Sequence, residues 1–211
     1  DYSTGAEAFL LEPQSTNLLP YSEDFSNAAW IKDNVTITSD ASTSPEGISN
    51  ANKLIPTTST ATHRLRSNTI SISTNGAYSA FVKADGYTKV ALREDNAIGH
   101  SAVFDLSDGS VMNTNVSGVA NIDSYGNGWY RIYFDDDAVS STCQLSIYVL
   151  ADSYTSGDPA ARPWAGDGTK GIYIYGAQVE EGSYPTSYIP TSGASATRNQ
   201  ELCNNATPVI N

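Results

Sequence analysis

The sequence predicts an all-β protein, an antiparallel β-sandwich (jelly roll) of about ten strands, and three observations predict it. The first is composition: 27 Ser, 20 Thr, 16 Asn and 16 Gly make up more than a third of the 211 residues, while charged residues are only 16%. Such residues favour turns and extended backbone over long helices. The second is period-two alternation of apolar residues, which recurs along the chain with no helical segment of any length beside it. The third is the close spacing of turn signals between those stretches. A parallel sheet would need helices to cover it, so strands at this spacing pair antiparallel.

The elements follow in order. Residues 1–16, with Pro13 ahead of Gln14-Ser15-Thr16, read as an extended lead-in. Residues 17–191 carry the β pattern, and 192–211, rich in Ser, Thr, Ala and Asn, read as a linker or tether. Within the β region, Val35–Thr38 alternates cleanly, and Arg64–Ile72 alternates up to the turn at Asn75-Gly76. Tyr78–Lys83 precedes Asp85-Gly86, a hairpin signal, and Lys89–Arg93 follows it. Ala102–Leu106 is closed by Ser107-Asp108-Gly109, after which Val111 begins a return strand. Val119–Ile122 runs to Gly126-Asn127-Gly128, and Trp129–Phe134 is the strongest alternation in the chain. Leu145–Val149 and Ile172–Tyr175 complete the set, with Gly176 marking a bulge or a close backbone approach. Trp30 and Trp129 are expected to plug the two ends of the core.

Charge and length exclude several classes. With 23 acids against 11 bases the net charge is −12, and no basic stripe is present to neutralise phosphates, so nucleic acid and anionic membranes are not expected partners. No apolar run reaches the roughly 18 residues a membrane helix needs. The start, Asp-Tyr-Ser-Thr-Gly, has neither the charged nor the apolar region of a signal peptide. Cys143 and Cys203 sit in no metal-ligand spacing. A disulfide between them would close a long loop in an oxidising compartment, and two free thiols are the alternative.

Four phrases in the chain are distinctive together. They are Asn17-Leu18-Leu19 leading to Tyr21-Ser22-Glu23-Asp24-Phe25-Ser26-Asn27-Ala28-Ala29-Trp30, then Phe104-Asp105-Leu106-Ser107-Asp108-Gly109, then Gly128-Trp129-Tyr130-Arg131. The last and most specific runs from Gly171-Ile172-Tyr173-Ile174-Tyr175-Gly176 through Tyr184-Pro185-Thr186-Ser187-Tyr188-Ile189-Pro190-Thr191. This order resembles the β-sandwich modules of bacteriophage head spikes and tail fibres, which are also appended to secreted bacterial polysaccharide-degrading enzymes. Those modules are similar to jelly-roll carbohydrate-binding modules. The resemblance implies glycan binding or virion decoration, at a virion surface or outside the cell, without identifying a sugar.

Strand parity nominates a ligand face. On Trp129–Phe134, inward Tyr130, Ile132 and Phe134 send Arg131 and Tyr133 outward. Inward Leu145, Ile147 and Val149 send Tyr148 outward, and inward Val90 and Leu92 send Arg93 outward. Arg93, Arg131, Tyr133 and Tyr148 would share one concave outer face, suited to an acidic or hydroxyl-rich sugar. The competing reading is a ladder of cross-strand pairs on a solvated face. Trp164, in the turn-rich run Arg162-Pro163-Trp164-Ala165-Gly166-Asp167-Gly168, either stacks on a sugar ring at the rim or folds back over the core. His100 is a further candidate for a ligand hydrogen bond, against a plain turn role.

Ca²⁺ is the candidate metal, held for structure rather than catalysis. Asp135-Asp136-Asp137 lacks a calcium-loop spacing and reads as a solvated turn. Glu23 and Asp24 with Glu180 form a second candidate cage, by analogy with sandwich modules. No cofactor is required by any motif.

Three classes of function compete. A non-catalytic carbohydrate-binding module would target a larger protein or virion to a polysaccharide or cell-surface glycan. A structural or decoration domain of a spike or fibre would instead meet protein, as a homotrimer or as part of a larger chain. A jelly-roll lyase or hydrolase would need a base and a charge stabiliser in one pocket, and His63-Arg64-x-Arg66 is the segment to supply them. No nucleophile elbow, zinc-protease motif or phosphate loop is present.

Overall fold

A computed structural model describes residues 11–95, 99–137 and 141–201. Cys203 lies outside them. The strands, in chain order, are β1 (Ser15–Asn17), β2 (Trp30–Asp33), β3 (Val35–Ser42), β4 (Ala51–Pro56), β5 (Thr60–Ala61) and β6 (His63–Ser67). Next come β7 (Ile70–Ser71), β8 (Gly76–Asp85), β9 (Lys89–Glu94), β10 (Ser101–Asp105), β11 (Ser110–Thr114) and β12 (Ala120–Ser124). The last are β13 (Trp129–Asp136), β14 (Thr142–Cys143), β15 (Leu145–Leu150), β16 (Trp164–Ala165), β17 (Gly171–Glu181) and β18 (Ala196–Arg198). Two six-stranded sheets dominate. Sheet one has the order β11-β10-β9-β15-β6-β2 and sheet two the order β12-β13-β8-β17-β4-β3. Their ladders are antiparallel throughout.

The antiparallel sandwich is therefore as the alternation predicts, with twelve strands in the two sheets rather than about ten. The core lies between the sheets. Val90 and Leu92 from β9, Ile147 and Val149 from β15, and Ile132 and Phe134 from β13 are all withdrawn from water. Each such side chain contributes roughly 1.5–3 kcal/mol by leaving water. Trp30 fills this core and donates its indole N–H to the Tyr21 carbonyl at 2.8 Å. Trp129 does not plug a core end. It lies on the outer side of sheet two with Phe81 and Tyr175, and donates to the Thr43 carbonyl at 3.0 Å.

Parts of both outer faces are covered by the chain itself. On sheet one, Ala91, Val103, Tyr148 and Leu150 form an apolar patch under Tyr154, from the loop after β15. On sheet two, Phe81, Trp129 and Tyr175 lie against Tyr188, from the segment after β17. Two side chains pin that segment. Glu180, fully buried, accepts from the Ser15 hydroxyl (2.5 Å), the Thr186 hydroxyl (2.5 Å), the Thr186 amide (2.9 Å) and Gln178 Nε2 (2.6 Å). Arg131 donates to the Thr186 carbonyl at 2.7 Å and the Ser79 hydroxyl at 3.0 Å.

The expected irregularity at Gly176 is a β-bulge. Its φ of +56° coincides with a register shift between Tyr175 and Gln178 on the β8 ladder. Backbone groups freed there are met by Asn17, whose amide donates to the Ala177 carbonyl at 3.2 Å and whose oxygen accepts from the Val179 amide at 3.2 Å.

Three local expectations change. Asp85-Gly86 makes no hairpin: β8 belongs to sheet two and β9 to sheet one, so this turn carries the chain across the core. A two-residue type I′ turn needs positive φ at both central residues, and Asp85 is not among the positive-φ residues. The Ser107-Asp108-Gly109 and Gly126-Asn127-Gly128 turns do join hairpins, β10–β11 and β12–β13. The stretch read as a tether from 192 contains β18, paired with β1 of the lead-in. Asp135 and Asp136 are not a solvated turn: both are buried, accepting from the Val119 amide at 3.1 Å and the Ser117 hydroxyl at 2.5 Å.

Replacing Glu180 by Ala leaves the Ser15, Thr186 and Gln178 donors without their acceptor. We expect a loss of about 3 kcal/mol in urea unfolding, and a variant unfolding like the parent would remove this carboxylate as the pin of the outer layer.

Candidate functional site

Residues directly opposite one another on neighbouring strands share a face, so register decides which predicted site residues meet. Tyr148 lies between Ala91 of β9 and Arg64 of β6, and Ser146 between Arg93 and Arg66. Arg93 and Tyr148 thus share the outer face of sheet one. Arg131 lies opposite Phe81 and Tyr133 opposite Ser79, on the outer face of sheet two. The four side chains all point outward as parity predicts, but from opposite sides of the sandwich. The single concave face of Arg93, Arg131, Tyr133 and Tyr148 does not form.

On sheet one the charges neutralise each other. Asp95 accepts from Arg64 (2.6 Å), Arg93 (2.6 Å), the Ser146 hydroxyl (2.6 Å) and the Tyr148 hydroxyl (2.9 Å). Asp33 accepts from both Arg64 and Arg66, at 2.8 and 3.0 Å, and Asp158 accepts from Arg93 at 2.6 Å. Burial, and next the Asp95 charge, push the Tyr148 phenol above its ordinary range, so it remains a neutral hydroxyl. Tyr148 is only 1% exposed, and Arg131 only 6%. Neither offers a surface to a ligand. Tyr133 is half-buried, its hydroxyl accepting from Asn121 at 2.9 Å.

His100 is not a free turn residue: its Nδ1 lies 2.6 Å from the Asp136 carboxylate, which also holds Ser117. The three residues of the expected metal cage fall in separate hydrogen-bond sets. Glu23 accepts from the Tyr175 and Tyr188 hydroxyls at 3.1 and 2.9 Å. Asp24 caps its own turn, accepting from the Ser26 hydroxyl at 2.5 Å and the Asn27 amide at 3.2 Å. The oxygens of Glu180 are taken by the donors that pin the outer layer. Among the described residues no three His, Cys, Asp or Glu are grouped to hold a metal ion.

The segment imagined for lyase chemistry is divided as well. His63 is fully buried, with Nδ1 2.7 Å from the Asn34 carbonyl and Nε2 2.9 Å from the Trp164 carbonyl. Arg64, one residue on, projects from the opposite face. Cys143 is a buried free thiol against Tyr78, and burial with the nearby Glu94 charge pushes it up to about 11.

A cleft of about 310 Å³ opens at the rim, between residues 150–156 and 161–164, and is one of several of similar volume among the described residues. Trp164 forms one wall. It meets His63 and Tyr87 edge-on, each at 4.9 Å between ring centroids, and donates to the Val149 carbonyl at 3.3 Å. Its two expected roles are combined, since the ring covers the core with one side and is left half-buried by the cleft. Tyr154 lies at the floor of the cleft, 7% exposed, seated on Leu150 and held by its hydroxyl bond to the Gly157 carbonyl at 2.6 Å. Ser153, Thr155, Ser156 and Arg162 supply exposed polar groups between them. Tyr154 and Arg162 are absent from the sequence-derived set. Arg162 adjoins Trp164 in the same turn-rich run, which was the available signal, whereas Tyr154 stands in a polar loop without periodicity.

No family model matches the chain, and no curated protein matches it. Among solved structures it is similar to the enzymatically active domain of tailspike protein 4 of bacteriophage CBA120, at 15% identity and a TM-score of 0.44. That match covers 77% of this chain and 21% of the other, so the chain spans about a fifth of that tailspike domain. It is also similar to a provisionally named sugar-binding protein of Bacteroides thetaiotaomicron VPI-5482, at 10% identity and a TM-score of 0.31, over 79% of this chain and 95% of that one. No helix among the described residues is long and apolar enough to cross a membrane.

Two outcomes follow for the buried groups. Asp95→Ala strands four hydrogen-bonding partners, Arg64, Arg93, Ser146 and Tyr148, and is expected to cost about 3 kcal/mol in urea unfolding, while the exposed Asp158→Ala costs about 1 kcal/mol or less. The Cys143 thiol is raised from an ordinary 9.0 to about 11, so its protonated form stabilises the fold below pH 9. That contribution is lost as pH rises through about 11, because the unfolded chain loses the proton first. Unfolding midpoints should therefore fall as pH climbs through this window, and Cys143→Ala should lessen the fall. Buried Tyr78 and Tyr148, also raised by burial, keep it from vanishing.

Proposed function

We propose that the chain is a non-catalytic carbohydrate-binding module, targeting a larger protein or virion to a polysaccharide or cell-surface glycan, with the rim cleft as its site. The observation that carries this reading is a cleft lined by the half-buried ring of Trp164 above the edge of Tyr154, with exposed hydroxyls and a guanidinium beside them. Sugar rings present apolar C–H faces and a girdle of hydroxyls. Aromatic rings take the first and side-chain hydroxyls or backbone groups the second. Both rings are held by the fold before any ligand arrives, Tyr154 through Gly157 and Trp164 through Val149, which lowers the ordering cost of binding.

Absence of chemistry is part of the proposal. The residues lining the cleft include no carboxylate, histidine or cysteine, so the pair of carboxyl groups that glycoside hydrolysis ordinarily uses is not among them. The Asp95 cluster has charge but no opening, since its oxygens are satisfied by Arg64, Arg93, Ser146 and Tyr148.

Ser156 is exposed and lines the cleft, so Ser156→Trp would fill it without disturbing the core. On a glycan array followed by affinity gels, the parent chain should be retained by at least one polysaccharide, without shortening it. Ser156→Trp should lose that retention about tenfold or more while keeping the parent's unfolding midpoint. Retention by the blocked variant at full strength would move the site elsewhere.

A further inference from the structure

We infer that the rim cleft takes an acidic sugar, a uronate or a sulfated unit, through the guanidinium of Arg162. The inference rests on the glycan-binding reading above and names the ligand class.

The first observation is local charge. The chain carries 23 acids against 11 bases, yet Arg162 is the one charged residue lining the cleft and no acid joins it. By contrast, the cleft beside Tyr21 is lined by Glu23 and Asp24.

The second is that this charge is unspent. Arg64, Arg66, Arg93 and Arg198 are tied to carboxylates, and Arg131 is buried against Thr186 and Ser79. Among the described residues Arg162 alone of the arginines makes neither an ion pair nor a hydrogen bond, and it is exposed. The neighbouring acids are already engaged. Asp152 accepts from the Thr88 amide and hydroxyl, each at 3.0 Å, and Asp158 accepts from Arg93 at 2.6 Å.

The third is placement. Gly157 has φ of +99°, and the Arg162 guanidinium lies in the space that a Cβ on Gly157 would occupy. The Gly157 carbonyl is itself held by the Tyr154 hydroxyl at 2.6 Å and the Asn113 amide at 3.3 Å. The planar fork is thus laid against a fixed turn, with its N–H groups directed at no protein acceptor. A carboxylate or sulfate matches that fork with two parallel hydrogen bonds, whereas a neutral hydroxyl takes one. The overall charge of −12 does not prevent this, because at physiological salt charges beyond about 8 Å are largely screened.

The test uses polygalacturonate, alginate, hyaluronan and chondroitin sulfate, each beside its carboxyl-reduced or desulfated neutral form, on affinity gels with the full chain. The result expected is retention by at least one acidic polymer, weakened about tenfold or more in the neutral form and in Arg162→Gln, and partly restored in Arg162→Lys. Retention should also fall as salt rises from about 0.01 to about 0.15 M. Arg162 is exposed and makes no ion pair or hydrogen bond among the described residues, so the unfolding midpoint of Arg162→Gln should stay at the parent's value. Equal retention by neutral polymers, or full retention by Arg162→Gln while Ser156→Trp abolishes it, would overturn the anionic assignment and leave the cleft as a glycan site. Retention by no polysaccharide, acidic or neutral, would overturn both readings.

Discussion

Two carboxylates buried away from the core, Asp95 on one sheet and Glu180 on the other, organise the outer layers of this protein. A carboxylate withdrawn from water is stable only if donors replace the lost hydration. Asp95 therefore draws Arg64, Arg93, Ser146 and Tyr148 into one set, and the Arg93–Asp158 pair ties the following loop to the same place. Glu180 does the same for Ser15, Gln178 and Thr186. Segments carrying those donors become fixed covers over faces that would otherwise be solvated.

That arrangement decides where a ligand can be met. With parts of both outer faces covered, several aromatic residues on them are withdrawn from water. Tyr148, Phe81 and Tyr175 act as core residues of two satellite clusters. The rim is different because the chain there turns from β15 to β16 through thirteen residues with little regular structure, leaving a cleft lined by Trp164 and Tyr154. On the proposed reading, a fixed frame that sets polar loop groups beside the Trp164 ring suits a ligand that is itself part apolar and part hydroxylated.

Much of the fold was legible because alternation is a local property. Each strand's inward and outward sets follow from its own residues, and Arg93, Arg131, Tyr133 and Tyr148 do face away from the core. Joining them into one site required knowing which strands are neighbours. Parity is silent on that, since β9 and β15 lie in one sheet and β13 in the other. The turn at Asp85-Gly86 shows how small the difference is: the same dipeptide that closes hairpins elsewhere here sends the chain across the core. The short strand β18 escaped notice for a related reason, as its three residues pair with β1 at the far end of the described chain and carry little periodicity of their own.

The sequence by itself determined the class of the fold, the inward face of each long strand and the bulge at Gly176, because these depend on spacing and composition within a few residues. Only the tertiary structure decided that Arg131 and Tyr148 are roofed, that Glu23, Asp24 and Glu180 belong to separate hydrogen-bond sets, and that Arg162 stands unpaired beside Trp164. Those outcomes depend on which distant segments come to lie on a given side chain, and burial and pairing of that kind are properties of the packed chain as a whole.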